Sequence, residues 1–157
     1  MIDTRFSVEF LNKGLDTNMS GHLGIEFTSI GEDHLEMKMP VDHRTVQPIG
    51  ILNGGASACL AETVGSMASY LSINRKEFYS VGLEIKCNHI RSAFGGYVYG
   101  RATPVHLGKR THVWQIHIRD EQEKLVCLST LTVQIMSFGD NEAAKKMLAN
   151  SPLGHLV

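Results

Sequence analysis

Two groups that could act on a carbonyl lie close together near the middle of the chain. Glu62 is the one formal charge in the thirty residues 45–74. Asn53, Gly54 and Gly55 precede it by a few positions. A positioned carboxylate can serve as a general base or a nucleophile. Paired glycines at a helix start let a ligand approach backbone N–H groups that can polarise a carbonyl.

One long helix is predicted to position both groups. Its apolar stripe recurs at helical spacing, and Asn53 is a good N-cap residue; the stripe consists of Leu60, Val64, Met67 and Leu71. Glu62 lies roughly opposite, among small side chains, namely Ala58, Cys59, Gly65, Ser66 and Ser69. Because an exposed helix face normally carries Lys, Glu, Gln and Arg, we expect a partner subunit or a ligand to pack closely there. Desolvation would then disfavour the charged form of Glu62. The alternative is an ordinary glutamate on a partly exposed helix.

The spacing of these groups predicts an oligomer. Gly55 and Glu62 are seven residues apart, which is about 10 Å along a helix and about twice the reach of a glutamate side chain. One chain therefore cannot bring both to the same carbonyl carbon. If they act together, Glu62 of one subunit must face the amides of another, which predicts a two-fold dimer.

The rest of the chain predicts a mostly antiparallel sheet. Residues 23–39 alternate with period two around a turn at residues 31–33, which predicts a β-hairpin. Four further alternating runs follow the helix, separated by loops short enough for hairpins, at residues 81–91, 97–105, 111–119 and 125–136. This order predicts an α+β fold in a single domain, residues 1–157. A short docking helix or arm would precede a core of about residues 20–138, and an extension, 139–157, would carry a short helix near 141–150.

Composition narrows the function classes. Fifteen Lys and Arg nearly balance sixteen Asp and Glu, which argues against nucleic-acid or acidic-membrane binding through overall charge. Cys59, Cys87 and Cys127 have no ligand spacing, and no stretch approaches the roughly 18 apolar residues of a membrane helix. We therefore expect a reduced, cytoplasmic protein. A histidine metal site is also disfavoured, because His112 and His117 should point to opposite faces of a strand and His106 should lie in a turn.

Several motifs resemble those of the hotdog-fold acyl-CoA thioesterases. They are Gln-Pro-x-Gly, x-Gly-Gly-Ala-Ser, Leu-Ala-Glu-x-x-Gly-Ser and Asn-His-x-Arg, and the similarity covers about residues 23–136. It is closest to the group that includes the dihydroxynaphthoyl-CoA thioesterases and the phenylacetate-pathway thioesterases. The resemblance implies a curved antiparallel sheet around a central helix. It also implies homodimers, often paired into tetramers, with the site between subunits and no metal or organic cofactor.

The resemblance also implies roles for individual residues. Glu62 matches the catalytic carboxylate, Gln47 a residue that positions water or substrate, and Ser66 a hydroxyl near the acyl group. Gly55 matches the amide that polarises the thioester carbonyl. Asn53 stands where close relatives have histidine, and asparagine can donate a hydrogen bond but cannot carry a proton in this pH range.

A second set of residues is expected to bind coenzyme A. His89 and Arg91 fall in the strand motif that lines its channel, and Gly54 lies beside the polarising amide. The run His106, Gly108, Lys109 and Arg110 could hold the nucleotide phosphates, or it could be an ordinary solvated hairpin turn.

The expected reaction is hydrolysis of an acyl-CoA thioester with an aryl or otherwise compact acyl group. The sequence leaves open whether Glu62 activates water or attacks directly to give an anhydride. A hotdog dehydratase or hydratase and a non-catalytic acyl-CoA binder are the alternatives.

Overall fold

A single six-stranded antiparallel sheet packs against one long helix in the computed structural model, which describes residues 1–13, 15–139, 142–150 and 154. The spatial order of the strands is β1-β2-β4-β5-β6-β3, and every neighbouring pair is antiparallel. The strands are β1 Glu26–Gly31, β2 His34–Pro40, β3 Phe78–His89, β4 Tyr97–Leu107, β5 Thr111–Asp120 and β6 Leu125–Ser137. The predicted α+β order of two strands, one helix and four strands is confirmed.

The central helix, α3, spans Gly54–Tyr70. All four residues of the predicted stripe are buried in the core between the helix and the sheet. Two of the small residues expected on the opposite face were wrongly placed, because the helix buries a wider arc than the stripe. A Cβ at Gly65 would collide with Leu131 of β6, and Ser69 accepts a hydrogen bond from Trp114 of β5.

The amino-terminal arm packs along β1. It contains α1 Val8–Asn12, a 3₁₀ turn at Leu15–Thr17 and α2 Met19–His22. Asn12 binds the backbone of Phe27 twice, accepting its N–H at 2.8 Å and donating to its carbonyl at 3.1 Å. The arm is also tied to the far end of α3, where Asp3 pairs with the buried Arg75 at 2.7 Å. The predicted docking arm therefore covers the β1 edge of the sheet.

The strand boundaries differ from the sequence prediction by a few residues. The strand β3 starts three residues earlier and ends two earlier than predicted, and β4 continues to Leu107. His106 therefore lies in β4, opposite Val113, and the expectation that it lies in a turn is wrong. The register shift between Pro104 and His106 explains the difference, because such an irregularity breaks the alternation that marks a strand in sequence.

The carboxy-terminal helix, α4, spans Glu142–Ala149, close to its predicted position. Most of the rest of the predicted extension, residues 140–141, 151–153 and 155–157, lies outside the described residues. Within the described ranges, no helix has the length and apolar character needed to cross a membrane.

Candidate active site

Glu62 is held over the edge strand β3. Its Oε1 accepts a hydrogen bond from Ser66 Oγ at 3.0 Å, one helical turn further along α3. Its carboxylate lies against Gly82 of β3, where a Cβ would collide with Oε1. The side chain is half-buried in the single chain. The two residues Glu62 and Ser66, predicted separately, therefore form one unit beside the end strand of the sheet.

Gly82 is a residue of this site that the sequence reasoning missed. The pairing of β3 with β6 shifts register between Gly82 and Glu84, so the strand is irregular where the carboxylate sits. A glycine inside a strand pattern often marks a place where another group approaches the backbone closely. That signal was present in the alternating run of residues 81–91 and could have indicated the contact with Glu62.

The start of α3 has the predicted cap. Asn53 Oδ1 accepts the Gly55 N–H at 2.7 Å, and the Asn53 N–H donates to the Thr45 carbonyl at 2.8 Å. Both Asn53 and Gly55 are exposed. The prediction of Asn53 as N-cap is thus confirmed, but the same bond occupies the amide that was expected to polarise a carbonyl. The Gly55 N–H can donate to a substrate only after its hydrogen bond to Asn53 Oδ1 breaks.

A cavity of about 260 Å³ opens beside this helix start. Four predicted residues line it, Gln47, Gly54, His89 and Arg91. The His89 ring lies close to Gly54, where a Cβ would be 3.0 Å from Nε2, so the ring would have to shift slightly to accept a larger residue. The sequence reasoning did not assign the other lining residues to a site, which are Ile51, Leu52, Ser57, Ile90, Ser92 and Val126.

The remaining predicted residues lie at the other end of α3. Gly108, Lys109 and Arg110 line a separate cavity of about 680 Å³ together with residues that follow the helix, including Ser72 and Ile73. His106 does not line this cavity, and its ring lies beside Gly108. One chain therefore separates the predicted site residues into three groups, around the helix start, around Glu62, and beyond the helix end.

The cations at the two cavities differ from Arg44 in their ion pairing. Arg44 is paired with Asp42 at 2.7 Å, and its hydrogen bonds lower the pKa of that carboxyl to about 2. In the part of the chain that the structure describes, Arg91, Lys109 and Arg110 have no such carboxylate partner. Cations without a competing carboxylate can bind the oxygens of a phosphate.

Neither a metal centre nor a reactive cysteine is indicated. Among the described residues, no three His, Cys, Asp or Glu side chains cluster as a metal site would require. Burial raises the pKa of the Cys59 thiol, and a thiol in that state is a poor nucleophile. The chemistry available at α3 is therefore that of a carboxylate, hydroxyls and N–H donors.

Comparison with known proteins identifies the family of this chain. Residues 49–127 match the family described as the thioesterase superfamily. The chain is 51% identical over 132 residues to 1,4-dihydroxy-2-naphthoyl-CoA hydrolase of Escherichia coli K12, covering 84% of this chain and 96% of that protein. It is 48% identical over 130 residues to the proofreading thioesterase EntH of Cronobacter turicensis, covering 83% and 94%.

A solved structure shows the same architecture. Thioesterase HI1161 from Haemophilus influenzae superimposes with a TM-score of 0.83 at 46% identity, covering 87% of this chain and 94% of that chain. The hotdog fold implied by the sequence resemblance is confirmed.

Proposed function

Because this chain belongs to the thioesterase superfamily and is a thioester hydrolase, we propose that it cleaves an acyl-coenzyme A with an aryl or other compact acyl group. The products are the free acid and coenzyme A. The observation that carries the proposal is the placement of Glu62, which Ser66 holds over Gly82. The 51% identity to a hydrolase named for a dihydroxynaphthoyl substrate supports the aryl group.

Glu62 is the proposed base or nucleophile. In the first route it takes a proton from a water molecule whose oxygen attacks the carbonyl carbon. The C–S bond then breaks, and the proton held by Glu62 passes to the departing thiolate of coenzyme A. In the second route its own oxygen attacks the carbonyl carbon and the C–S bond breaks to expel the thiolate, which leaves an anhydride; water then hydrolyses the anhydride to the free acid and restores the carboxylate. Gln47 would position the water or the substrate, and the Ser66 hydroxyl holds the carboxylate in either case. Neither route needs a metal or an organic cofactor, because the carboxylate, water and N–H donors supply every group used.

The proposed carbonyl donors are Gly55 and Asn53. The substrate oxygen would replace Asn53 Oδ1 on the Gly55 N–H, which points outward from the helix start. The displaced Asn53 side chain can then donate from its own amide nitrogen. A donor aimed at the developing oxyanion stabilises the transition state more than the ground state.

The site is proposed to be shared between two copies of the chain. The strand β3 ends the sheet, and it exposes Val81 and Leu83, at 44% and 59%. A long edge strand of this kind is a template for pairing with another chain. Pairing about a two-fold axis makes the β3 strands of the two copies antiparallel. If the axis passes near the middle of β3, the Gly82 half of one copy lies beside the His89 half of the other. Glu62 would then face the partner's helix start. The further pairing of two dimers stays a prediction.

Coenzyme A is proposed to bind through the cations of the two cavities. Arg91 and His89 lie beside Gly54 at the helix start, and Lys109 and Arg110 lie beyond the helix end, following His106 and Gly108. These side chains would bind the pantetheine-linked phosphates. We also propose a cytoplasmic location, because all three cysteines are unpaired thiols.

The test is a thiol-release screen over matched aryl and aliphatic CoA esters. We expect turnover with the wild-type protein and with Glu9→Gln, a control at an exposed position on α1. Glu62→Gln should lower turnover by about 10²–10⁴, the usual contribution of a positioned base. If Glu62→Gln stays folded and retains more than about a tenth of wild-type turnover, the assignment of Glu62 is wrong.

The same screen separates the alternatives. The capped Gly55 N–H favours a second candidate, a protein that binds acyl-CoA without cleaving it. That candidate predicts CoA-ester binding with no thiol release from any ester. Hydration of enoyl-CoA or dehydration of β-hydroxyacyl-CoA would instead indicate the dehydratase class.

A further inference from the structure

A buried chain of polar side chains links the carboxy-terminal end of α3 to the turn at residues 108–110. Trp114 Nε1 donates to Ser69 Oγ at 2.6 Å, and His112 Nδ1 lies 3.3 Å from the same oxygen. Ser69 is fully buried, and His112 is only 4% exposed. The two aromatic rings meet edge to face, with centroids 6.4 Å apart. No step of the proposed hydrolysis uses these groups.

His112 also lies beside the turn. Its side chain lines the same cavity as Gly108, Lys109 and Arg110, and its residue pairs across the hairpin with Leu107. Burial lowers the pKa of His112 below its ordinary value, and the nearby Gly108 backbone opposes part of that shift. A neutral imidazole has one donor and one acceptor, so it can accept from the Ser69 hydroxyl and keep its other nitrogen as a donor.

The turn carries two of the proposed phosphate-binding cations. Lys109 and Arg110 line the larger cavity together with His112. Backbone bonds hold the two ends of the turn, from the Gly108 N–H to the Thr111 carbonyl and from the Ile135 N–H to the Arg110 carbonyl. The side chain of His112, two residues after Arg110, adds a link from this hairpin to α3 through Ser69.

We propose that Ser69 and His112 are positioning residues that fix the turn at residues 108–110 to the catalytic helix and so hold Lys109 and Arg110 in place for the phosphates of the CoA substrate. The inference rests on the proposed function, since it assigns the turn to coenzyme A. It adds a contact between the helix that carries Glu62 and the cavity that lies beyond the carboxy-terminal end of that helix. The competing explanation is that His112 only fills the core.

The experiment compares His112→Leu with His112→Gln on two substrates. One is the CoA ester that the wild-type protein cleaves best, and the other is the same acyl group on pantetheine, which lacks the nucleotide phosphates. In His112→Leu the turn should no longer hold Lys109 and Arg110 in place. Loss of one hydrogen bond from these side chains to a phosphate should raise KM for the CoA ester about tenfold. We expect kcat to stay within about twofold and KM for the pantetheine ester to stay unchanged, since Glu62 and its surroundings are not altered. His112→Gln keeps one donor and one acceptor and should recover most of the wild-type KM.

A double-mutant cycle tests whether the effect passes through the cations. In a Lys109→Ala, Arg110→Ala background, His112→Leu should raise KM no further, because the groups that it positions are gone. If His112→Leu fails to fold, Ser69→Ala breaks the same link at its other end, and the same pattern is expected.

Three results would overturn the inference. They are an unchanged KM for the CoA ester, equal increases for both substrates, or a KM increase that persists in full without Lys109 and Arg110. Calorimetric binding of coenzyme A alone separates this inference from the proposed function. If the wild-type protein cleaves no CoA ester but its Kd for coenzyme A still rises in His112→Leu, the proposed cleavage of acyl-CoA fails and the positioning role stands. If the wild-type protein does not bind coenzyme A, both fail.

Discussion

The two edges of the sheet are built in opposite ways. At the β1 edge, the amino-terminal arm lies over the strand and Asn12 bonds both backbone groups of Phe27, which is only 2% exposed. At the β3 edge, a strand of twelve residues has no neighbour on its outer side in the described chain, and Val81 and Leu83 are exposed. The chain therefore closes one edge with its own residues and leaves the other open.

The difference is informative because Glu62 lies at the open edge. Natural proteins usually protect an exposed edge strand against pairing, and this chain does so at β1. An open β3 that exposes Val81 and Leu83 beside a carboxylate is what half of a shared site requires. The comparison of the two edges therefore links the dimer proposal to the catalytic proposal, and a change at either edge tests that link.

Charging the open edge should have the largest effect. Val81→Lys combined with Leu83→Lys places like charges against each other across the proposed two-fold axis, at a cost of several kcal/mol. We expect self-association to weaken by on the order of 10³-fold or more. Sedimentation should show monomers, and thiol release should fall to background because each site lacks its second chain.

A lysine on the closed edge is the matched control. Thr28→Lys on β1 can pair with Glu36, the present partner of Thr28, and should change neither assembly nor turnover. If the double lysine variant remains a fully active dimer, β3 is not the interface.

Mixing two inactive variants tests whether the open edge shares its site. Glu62→Ala removes the base, and Gly55→Val obstructs the amide donor, where a Cβ would lie 3.1 Å from Asn53 Oδ1. In a heterodimer, one site regains both wild-type groups while the other carries both defects. Half of the dimers in an equal exchanged mixture are heterodimers, so activity should reach about a quarter of wild type.

The control for this experiment is each variant incubated alone under the same exchange conditions. Native mass spectrometry can show whether the subunits exchange. If they exchange and the mixture stays as inactive as the two separate variants, then Glu62 and Gly55 of the same chain act together.

The cap at the helix start predicts a smaller change. Asn53→His removes the oxygen that holds the Gly55 N–H at 2.7 Å and should free that donor for the substrate. We expect thiol release to rise by a factor of a few, up to the roughly 10²-fold associated with one oxyanion donor. Unchanged rates over the whole ester panel would show that this position does not act on the reacting carbonyl.

Local patterns predicted the helix and the cap but not the three-dimensional grouping. The stripe of Leu60 and Val64 and the N-cap Asn53 depend on residues within a few positions of one another, so the sequence displays them directly. The contact of Glu62 with Gly82 joins residues twenty positions apart and depends on how β3 crosses to the far edge.

Tertiary packing also explains the errors. Gly65 and Ser69 were predicted to lie on the helix face that meets a partner subunit or a ligand, but Leu131 and Trp114 reach them from the chain's own sheet. His106 looked like a turn residue because a register shift interrupts the alternation of β4. The spacing of residues along one element predicts neither its packing against other elements nor the register of its pairing.

Opening the closed edge should have the smallest effect. Asn12→Ala removes two hydrogen bonds to the buried Phe27 backbone, at about 0.5–1.5 kcal/mol each, so the free energy of unfolding should fall by about 1–3 kcal/mol. Asn12→Asp keeps the acceptor for the Phe27 N–H and loses the donor, and it should fall between Asn12→Ala and wild type in a urea titration. Assembly and turnover should not change, because Glu62 and β3 lie at the other edge. An Asn12→Ala protein that loses its dimer or most of its turnover would mean that the two edges are not independent, and the comparison would have to be abandoned.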